Sequence, residues 1–140
     1  MIIRRIPLNA LQAGVKALLE QYQSTPVRDQ AFSDTSTPIT LPCITLGTFT
    51  YQQNGAKTSD IADISLELHI WSDSDGQAKI NPIANDIMAV LTSWTIDLSV
   101  ERFTVISQEV NDFKAFPKAE TGYHGVINFK TKIQNLGVCE

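Results

Sequence analysis

The period of the apolar residues changes from two to about 3.6 within residues 66–91, LELHIWSDSDGQAKINPIANDIMAVL. Before the change, Leu66, Leu68 and Ile70 alternate with more polar residues, a pattern typical of a half-buried β-strand. After the change, apolar residues follow one stripe of a helix: Ile80, Ile83, Ala84, Ile87, Val90, Leu91 and Trp94. A strand followed directly by an amphipathic helix predicts a sheet with a helix packed on one face.

The hinge between the two halves, residues 71–76 (WSDSDG), is acidic and ends in glycine. It superficially resembles a calcium loop, but an EF-hand has glycine at position six and a glutamate at position twelve. Counted from Asp73, the glycine comes fourth and Ala84 stands at position twelve. Carboxylates and hydroxyls at a helix N-terminus accept hydrogen bonds from free backbone N–H groups. We therefore predict that the hinge caps the helix and binds no metal.

The start of this second helix has two interpretations. Ser74 or Asp75 could cap a longer helix that is kinked at Pro82, because proline lacks a donor and clashes with the carbonyl four residues back. Alternatively, Asn81 could cap a helix that begins at Pro82. We favour the longer, kinked helix.

The remaining patterns predict one more helix and three more strands. The helix covers about residues 7–22, and the strands cover 43–53, 98–110 and 123–133, in addition to the strand at 61–71. Within 98–110, Val100 and Ile106 face opposite to Phe103 and Val105, which indicates a bulge or burial on both faces. Residues 24–42 predict a long loop with a possible short strand near 27–32, and residues 52–60 predict a projecting arm.

These elements predict one α+β domain over residues 1–140. Their order is α-β-β-α-β-β, and hairpin connections favour a mostly antiparallel sheet of about four strands with both helices on one face. The length of 140 residues allows a single core.

Composition excludes several classes of function. The formal net charge of −4 and the absence of a basic run argue against a nucleic-acid-binding protein. The chain has no run of about 18 apolar residues and no secretory signal, so we expect a protein made and assembled in the cytoplasm. Its two cysteines match no disulfide framework or zinc spacing, and we expect Cys43 to be buried in its strand.

Glu67, His69 and His124 are the residues that best fit an enzymatic alternative. All three alternate onto the polar face of predicted strands, and two histidines with a carboxylate can bind a metal. The sequence does not show whether these strands are neighbours. A salt-bridged face, with Glu67 opposite Lys130 or Lys132, needs only ordinary sheet packing. We found no nucleophile elbow and no glycine-rich phosphate loop, so we predict no catalytic residue, no metal and no cofactor.

Polar surface features favour a protein that works by binding. We predict that the projecting arm contacts partners or neighbouring copies through Gln52, Asn54, Lys57 and Asp60. Trp71 alternates onto the polar face of its strand, where it either lies under a loop or forms part of an interface. A monomeric module that binds a small ligand or peptide is a further alternative.

Several segments together resemble the family of small phage tail-completion proteins, which includes tail terminators and head–tail joining proteins. The resemblance covers about residues 41–133 and is carried by LPCITLGTFT, KTSD, the 66–91 segment and YHGVINFKTKI. Gly47, Trp71, Ser72 and Gly76 match the pattern as fold determinants. The family pattern does not include a proline inside the second helix or the 24–42 segment.

The resemblance implies a structural role in the virion. Members form a homo-oligomeric ring, usually a hexamer, at the head-proximal end of the tail tube. The ring ends tail polymerisation and contacts the tail-tube protein on one side and a head-completion or connector protein on the other. DNA would only pass through the lumen, and the resemblance transfers no catalytic residue.

Overall fold

The structure is a computed structural model and describes residues 4–28, 42–55, 59–72, 78–117 and 122–136. Its elements, in chain order, are α1 (Leu8–Tyr22), β1 (Val27–Arg28), β2 (Cys43–Gln53), β3 (Asp60–Ser72), α2 (Ile80–Ser93), β4 (Phe103–Pro117) and β5 (Tyr123–Asn135). A 3₁₀ turn at Ser99–Glu101 precedes β4. The predicted order α-β-β-α-β-β is confirmed, with the two-residue β1 as an additional strand inside the 24–42 segment.

The described strands form one sheet in the order β1-β2-β3-β5-β4. All neighbouring strands are antiparallel except β1, which runs parallel to β2. Strand β3 lies at the centre, and each of its residues from Asp60 to Ser72 has a partner on β5. The sheet is therefore mostly antiparallel, as the sequence predicts.

The core lies between the sheet and the two helices. Alternate residues of β3 are buried, including Leu66, Leu68 and Ile70 at 0% exposure, as the period of two predicts. Helix α1 buries the stripe Leu11, Val15 and Leu19, and helix α2 buries Ile80, Ile83, Ala84, Ile87, Val90 and Leu91. Burying each large apolar side chain contributes about 1.5–3 kcal/mol. Among the described helices, none is long and apolar enough to cross a membrane.

Strand β4 contains the bulge that its sequence indicates. The pairing with β5 shifts between Val105 and Ser107, so Ile106 is the extra residue and remains half exposed. A second shift occurs between Val110 and Asp112. After the first bulge, Gln108 faces the helices and its amide donates to the carbonyl oxygens of residues 91 and 94, at 2.6 and 2.5 Å. The bulge thus allows one polar side chain to fix the end of α2 to the sheet.

The favoured start of the second helix is wrong. Helix α2 begins at Ile80, with Lys79 at its N-cap and no capping side-chain hydrogen bond. Pro82 lies in the first turn, where backbone N–H groups have no partner within the helix, so proline removes no hydrogen bond of the helix. Residues 73–76 of the hinge lie outside the described residues, and the capping role of this segment stays a prediction.

A polar cluster joins the N-terminal segment to the end of the sheet where β3 begins. Asp60 is only 2% exposed, and its carboxylate accepts hydrogen bonds from the Arg5 backbone N–H at 3.0 Å and the Asn135 amide at 2.9 Å. The Arg4 guanidinium lies 3.2 Å from the other carboxylate oxygen. Burial by itself would raise the pKa of Asp60, but the hydrogen bonds from Asn135, Arg5 and Arg4 outweigh it and lower that pKa.

The Arg5 side chain completes this cluster. Its guanidinium donates to the Asn135 side-chain oxygen at 2.7 and 3.0 Å and to the carbonyl oxygen of Glu101 at 2.9 Å. It also lies over the Phe103 ring, 4.2 Å from the centroid. One arginine therefore connects the chain before α1, the turn before β4 and the end of β5.

Replacing Asp60 tests the importance of this cluster. We expect Asp60→Ala to lower the free energy of unfolding by about 1–3 kcal/mol, because it leaves buried donors without an acceptor. The matched control is Asp63→Ala, which removes a 45% exposed carboxylate 4.0 Å from Lys132 and should cost under about 1 kcal/mol. Urea unfolding at pH 7 measures both, and equal effects would contradict a special role for Asp60.

The difference in the free energy of unfolding between the wild type and Asp60→Ala should depend on pH. Because the folded-state pKa of Asp60 is lowered, its ionised form stabilises the fold above the unfolded-state value of about 3.9. This stabilisation is lost as the pH falls through the folded-state pKa. The difference between the wild type and Asp60→Ala should therefore shrink in acid.

Candidate interaction surface

The sheet face opposite the helices carries the polar residues of the central strands. The sequence left open whether the strands bearing His69 and His124 are neighbours. The structure pairs β3 with β5, so that Trp71 lies directly opposite His124 and His69 lies opposite Val126. Glu67, His69, Trp71 and His124 therefore share one region of this open face.

Four aromatic rings from β3, β4 and β5 form a cluster there. Trp71 and His124 stack with centroids 3.9 Å apart and planes 9° from parallel. His69 lies 4.9 Å from His124, and Phe116 on β4 approaches His124 edge-on at 4.8 Å. Such ring pairs contribute about 0.5–1.5 kcal/mol beyond their buried area. The cluster connects the three strands on the sheet face opposite the two described helices.

Strand β2 supports this aromatic cluster from the other side. The Trp71 indole N–H donates to the Thr45 hydroxyl at 2.9 Å. Gly47 lies beneath the His69 ring, where any side chain would collide with the imidazole. Trp71 is thus partly buried and hydrogen-bonded, and Gly47 and the fully buried Ser72 occupy structural positions. Gly76 lies outside the described residues.

Glu67 and His124 approach different nitrogens of His69. Nδ1 of His69 is 2.7 Å from Nε2 of His124, whereas Nε2 of His69 is 3.6 Å from a Glu67 oxygen. A single metal ion would need all three side chains to converge on one point. Within the described ranges, no group of three or more histidine, cysteine or acidic residues could hold a metal. The arrangement is suited to a hydrogen-bonded chain across two strands.

Partial burial changes the pKa of the His69 side chain. Desolvation lowers the pKa of His69, and this effect outweighs the opposing influence of the nearby Glu67 carboxylate. The imidazole therefore favours its neutral form, which can accept the hydrogen bond of a His124 N–H at Nδ1.

The charged residues of the open face pair differently from the expectation. Glu67 lies opposite Asn128, so the predicted pairing with Lys130 or Lys132 is wrong. Its contact is instead with His69 on the same strand. The described cross-strand ion pair joins Asp63 and Lys132 at 4.0 Å, four residues from Glu67 towards the Asp60 end of β3. The pattern correctly predicts a polar face but not the strand register.

Three of the residues predicted to contact partners through the arm, Gln52, Asn54 and Asp60, are described by the structure. Gln52 belongs to β2 and pairs with Asp63 on β3, and the Asn54 backbone N–H donates to the Ile61 carbonyl at 2.7 Å. Asp60 is buried and bonded within the chain, so its carboxylate is not presented to another molecule. Lys57 lies outside the described residues.

The structure reveals a concentration of exposed apolar residues that sequence patterns did not identify. Five of the eight exposed large apolar side chains in the described ranges belong to β4 or to the segments beside its first residues. They are Ile6, Val100, Ile106, Phe116 and Leu136, with exposures of 62, 95, 49, 43 and 50%. In the sequence, only the irregular apolar pattern at Val100 and Ile106 indicated these exposed residues.

The lowered pKa of His69 predicts a pH-dependent stability. The unfolded chain gains a proton on this histidine at a pH of about 6.5, before the folded chain does. The stabilisation is thus fully present above that pH and decreases as the pH falls towards the lower, folded-state pKa. We expect His69→Gln to flatten this decrease between pH 7 and 5 in thermal unfolding. An unchanged pH profile would contradict a neutral, partly buried His69.

Comparisons with known proteins agree with this architecture. A family model described as "Tail completion protein gp17" matches residues 9–134. A chain in the solved structure "Virion of native gene transfer agent (GTA) particle" superimposes with a TM-score of 0.76 and is 20% identical, over 91% of this chain and 96% of that chain, which shows a shared fold. A search of curated proteins finds no match. Because the family model spans most of the chain, the protein belongs to the tail completion protein family and is a structural protein of the phage tail.

Proposed function

We propose that the protein forms a homo-oligomeric ring, a hexamer, at the head-proximal end of the tail tube. The ring ends polymerisation of the tube and joins it to the head. It contacts the tail-tube protein on one face and a head-completion or connector protein on the other. It is assembled in the host cytoplasm, becomes part of the virion, and acts by association and without catalysis.

The observation that carries this proposal is the family match to tail completion proteins over residues 9–134. The shape of the fold agrees with it. A two-layer domain buries one face of its sheet beneath helices and leaves the other face and two unlike edges available. A ring of identical copies needs two different complementary surfaces on each copy, because its contacts are heterologous.

The charge and surface of the chain fit passive passage of DNA. The net charge of −4 gives no general attraction to phosphates. Gln52, Asn54 and Trp71, which lie on or beside the sheet, and Lys57 remain the proposed contact residues. Asp60 is withdrawn because it is used within the chain.

Loss of the protein should produce a specific assembly defect. In cells producing particles without it, we expect filled heads that lack tails and tail tubes of irregular, excessive length, because nothing stops their growth. Electron microscopy measures tube length and head attachment, and a plasmid supplying the wild-type protein is the control. Tubes of normal length with unattached heads would reduce the role to joining. Normal particles would refute the proposal.

A further inference from the structure

The outer strand of the sheet is long and has no strand on its far side within the described chain. Strand β4 extends over fifteen residues, and its only described strand partner is β5. The backbone N–H and C=O groups on the edge of β4 that faces away from β5 can therefore form hydrogen bonds with another strand. Two exposed apolar residues, Ile106 and Phe116, belong to β4, and three more, Ile6, Val100 and Leu136, belong to the segments beside its first residues. We call this surface, β4 with these residues, the β4 side.

The opposite edge of the sheet offers a complementary strand. Strand β1 pairs only with Ile44 and Thr45, so β2 has no described strand beside residues 46–53. The sequence LGTFTYQQ of this part of β2 contains no charge and no proline, which are two common means of blocking an edge. Residues 46–53 are called the β2 edge below.

Charge distinguishes between two ways of pairing. Strand β4 carries Glu109, Asp112 and Lys114 on the open face, opposite Lys130, Asn128 and Val126 of β5. A two-fold pairing of β4 with β4 of a second copy is unfavourable in the registers that place Glu109 or Asp112 opposite a carboxylate of the other copy. Pairing with the uncharged β2 edge brings no like charges together. It also leaves a free β2 edge and a free β4 side at the two ends of any chain of copies, so that a ring can close.

We propose that the β4 side binds the β2 edge of a second copy of this chain, so that the sheet continues from one copy to the next. This inference rests on the proposed ring and identifies the surfaces that form it. The exposed apolar residues of the β4 side become buried against the neighbouring copy. Gln52, one of the predicted contact residues, lies at this junction.

A matched pair of charge substitutions tests the role of the β4 side. Ile106 on β4 and Met88 on α2 are similarly exposed, at 49 and 43%. We expect Ile106→Glu to raise the protein concentration needed for oligomerisation at least tenfold, because it places a charge in the contact. Met88→Glu should change it less than twofold. Native mass spectrometry and sedimentation measure assembly, and thermal unfolding confirms that both variants fold. Equal effects would contradict the proposal.

Cross-linking between two singly substituted chains tests the pairing even if Ile106→Glu does not fold. Glu109→Cys and Gln52→Cys chains, each also carrying Cys139→Ser, are mixed and treated with a bismaleimide. We expect mixed dimers and no dimers from Glu109→Cys alone. The control mixes Gln52→Cys chains with Glu20→Cys chains and should give no mixed dimers. Glu20 is an exposed residue on α1. Purified protein and assembled particles are both tested.

The outcomes separate this inference from the proposed ring. Rings seen by electron microscopy with cross-links absent, or with Glu109→Cys linked to itself, would overturn the edge pairing and leave the ring intact. Absence of rings from particles would overturn both. Mixed dimers that appear only between Glu109→Cys and Gln52→Cys would support both.

Discussion

The pairing of β3 with β5 is the constraint on which the other features of the structure depend. It holds thirteen consecutive residue pairs in one register, from Asp60 opposite Asn135 to Ser72 opposite Tyr123. Because side chains alternate between faces, this register sends one set of residues into the core and the other onto the open face. A shift by one residue would bury Glu67 and expose Leu66. The same register brings Trp71 against His124 at one end and Asp60 against Asn135 at the other.

The two ends of the β3–β5 strand pair are stabilised by different kinds of interaction. At the Asp60 end, a buried carboxylate is matched by donors from two segments, the chain before α1 and the end of β5, and its lowered pKa reflects that match. At the Trp71 end, stacked rings and the hydrogen bond between the His69 and His124 imidazoles connect the strands. Each interaction is local, yet both require the full length of the β3–β5 register. The open face is therefore ordered without a covering layer.

Much of the fold could be predicted because periodicity reports burial directly. The alternation in β3 and the stripe in α2 give element type and inward face without knowledge of partners. Periodicity does not report which strands pair or in which register. For this reason the cross-strand partners predicted for Glu67 were wrong, and the sequence did not show whether the strands of His69 and His124 are neighbours. The Asp60 cluster was missed for a related reason. Its members, Arg4, Arg5, Asp60 and Asn135, are far apart in sequence, and an aspartate beside a turn signal more often indicates a surface.

The asymmetry of the two sheet edges links the fold to assembly. Most natural edges are protected by charges, prolines or bulges. Strand β4 has two bulges and several charges, yet it is flanked by exposed apolar side chains, whereas residues 46–53 of β2 carry neither charge nor proline. This exposure does not stabilise a monomer, because burying apolar surface contributes about 25 cal/mol per Å² and exposed surface contributes none of it. In the proposed ring this area would be buried at each contact, and the bulges on β4 would restrict where along that edge a second strand can align.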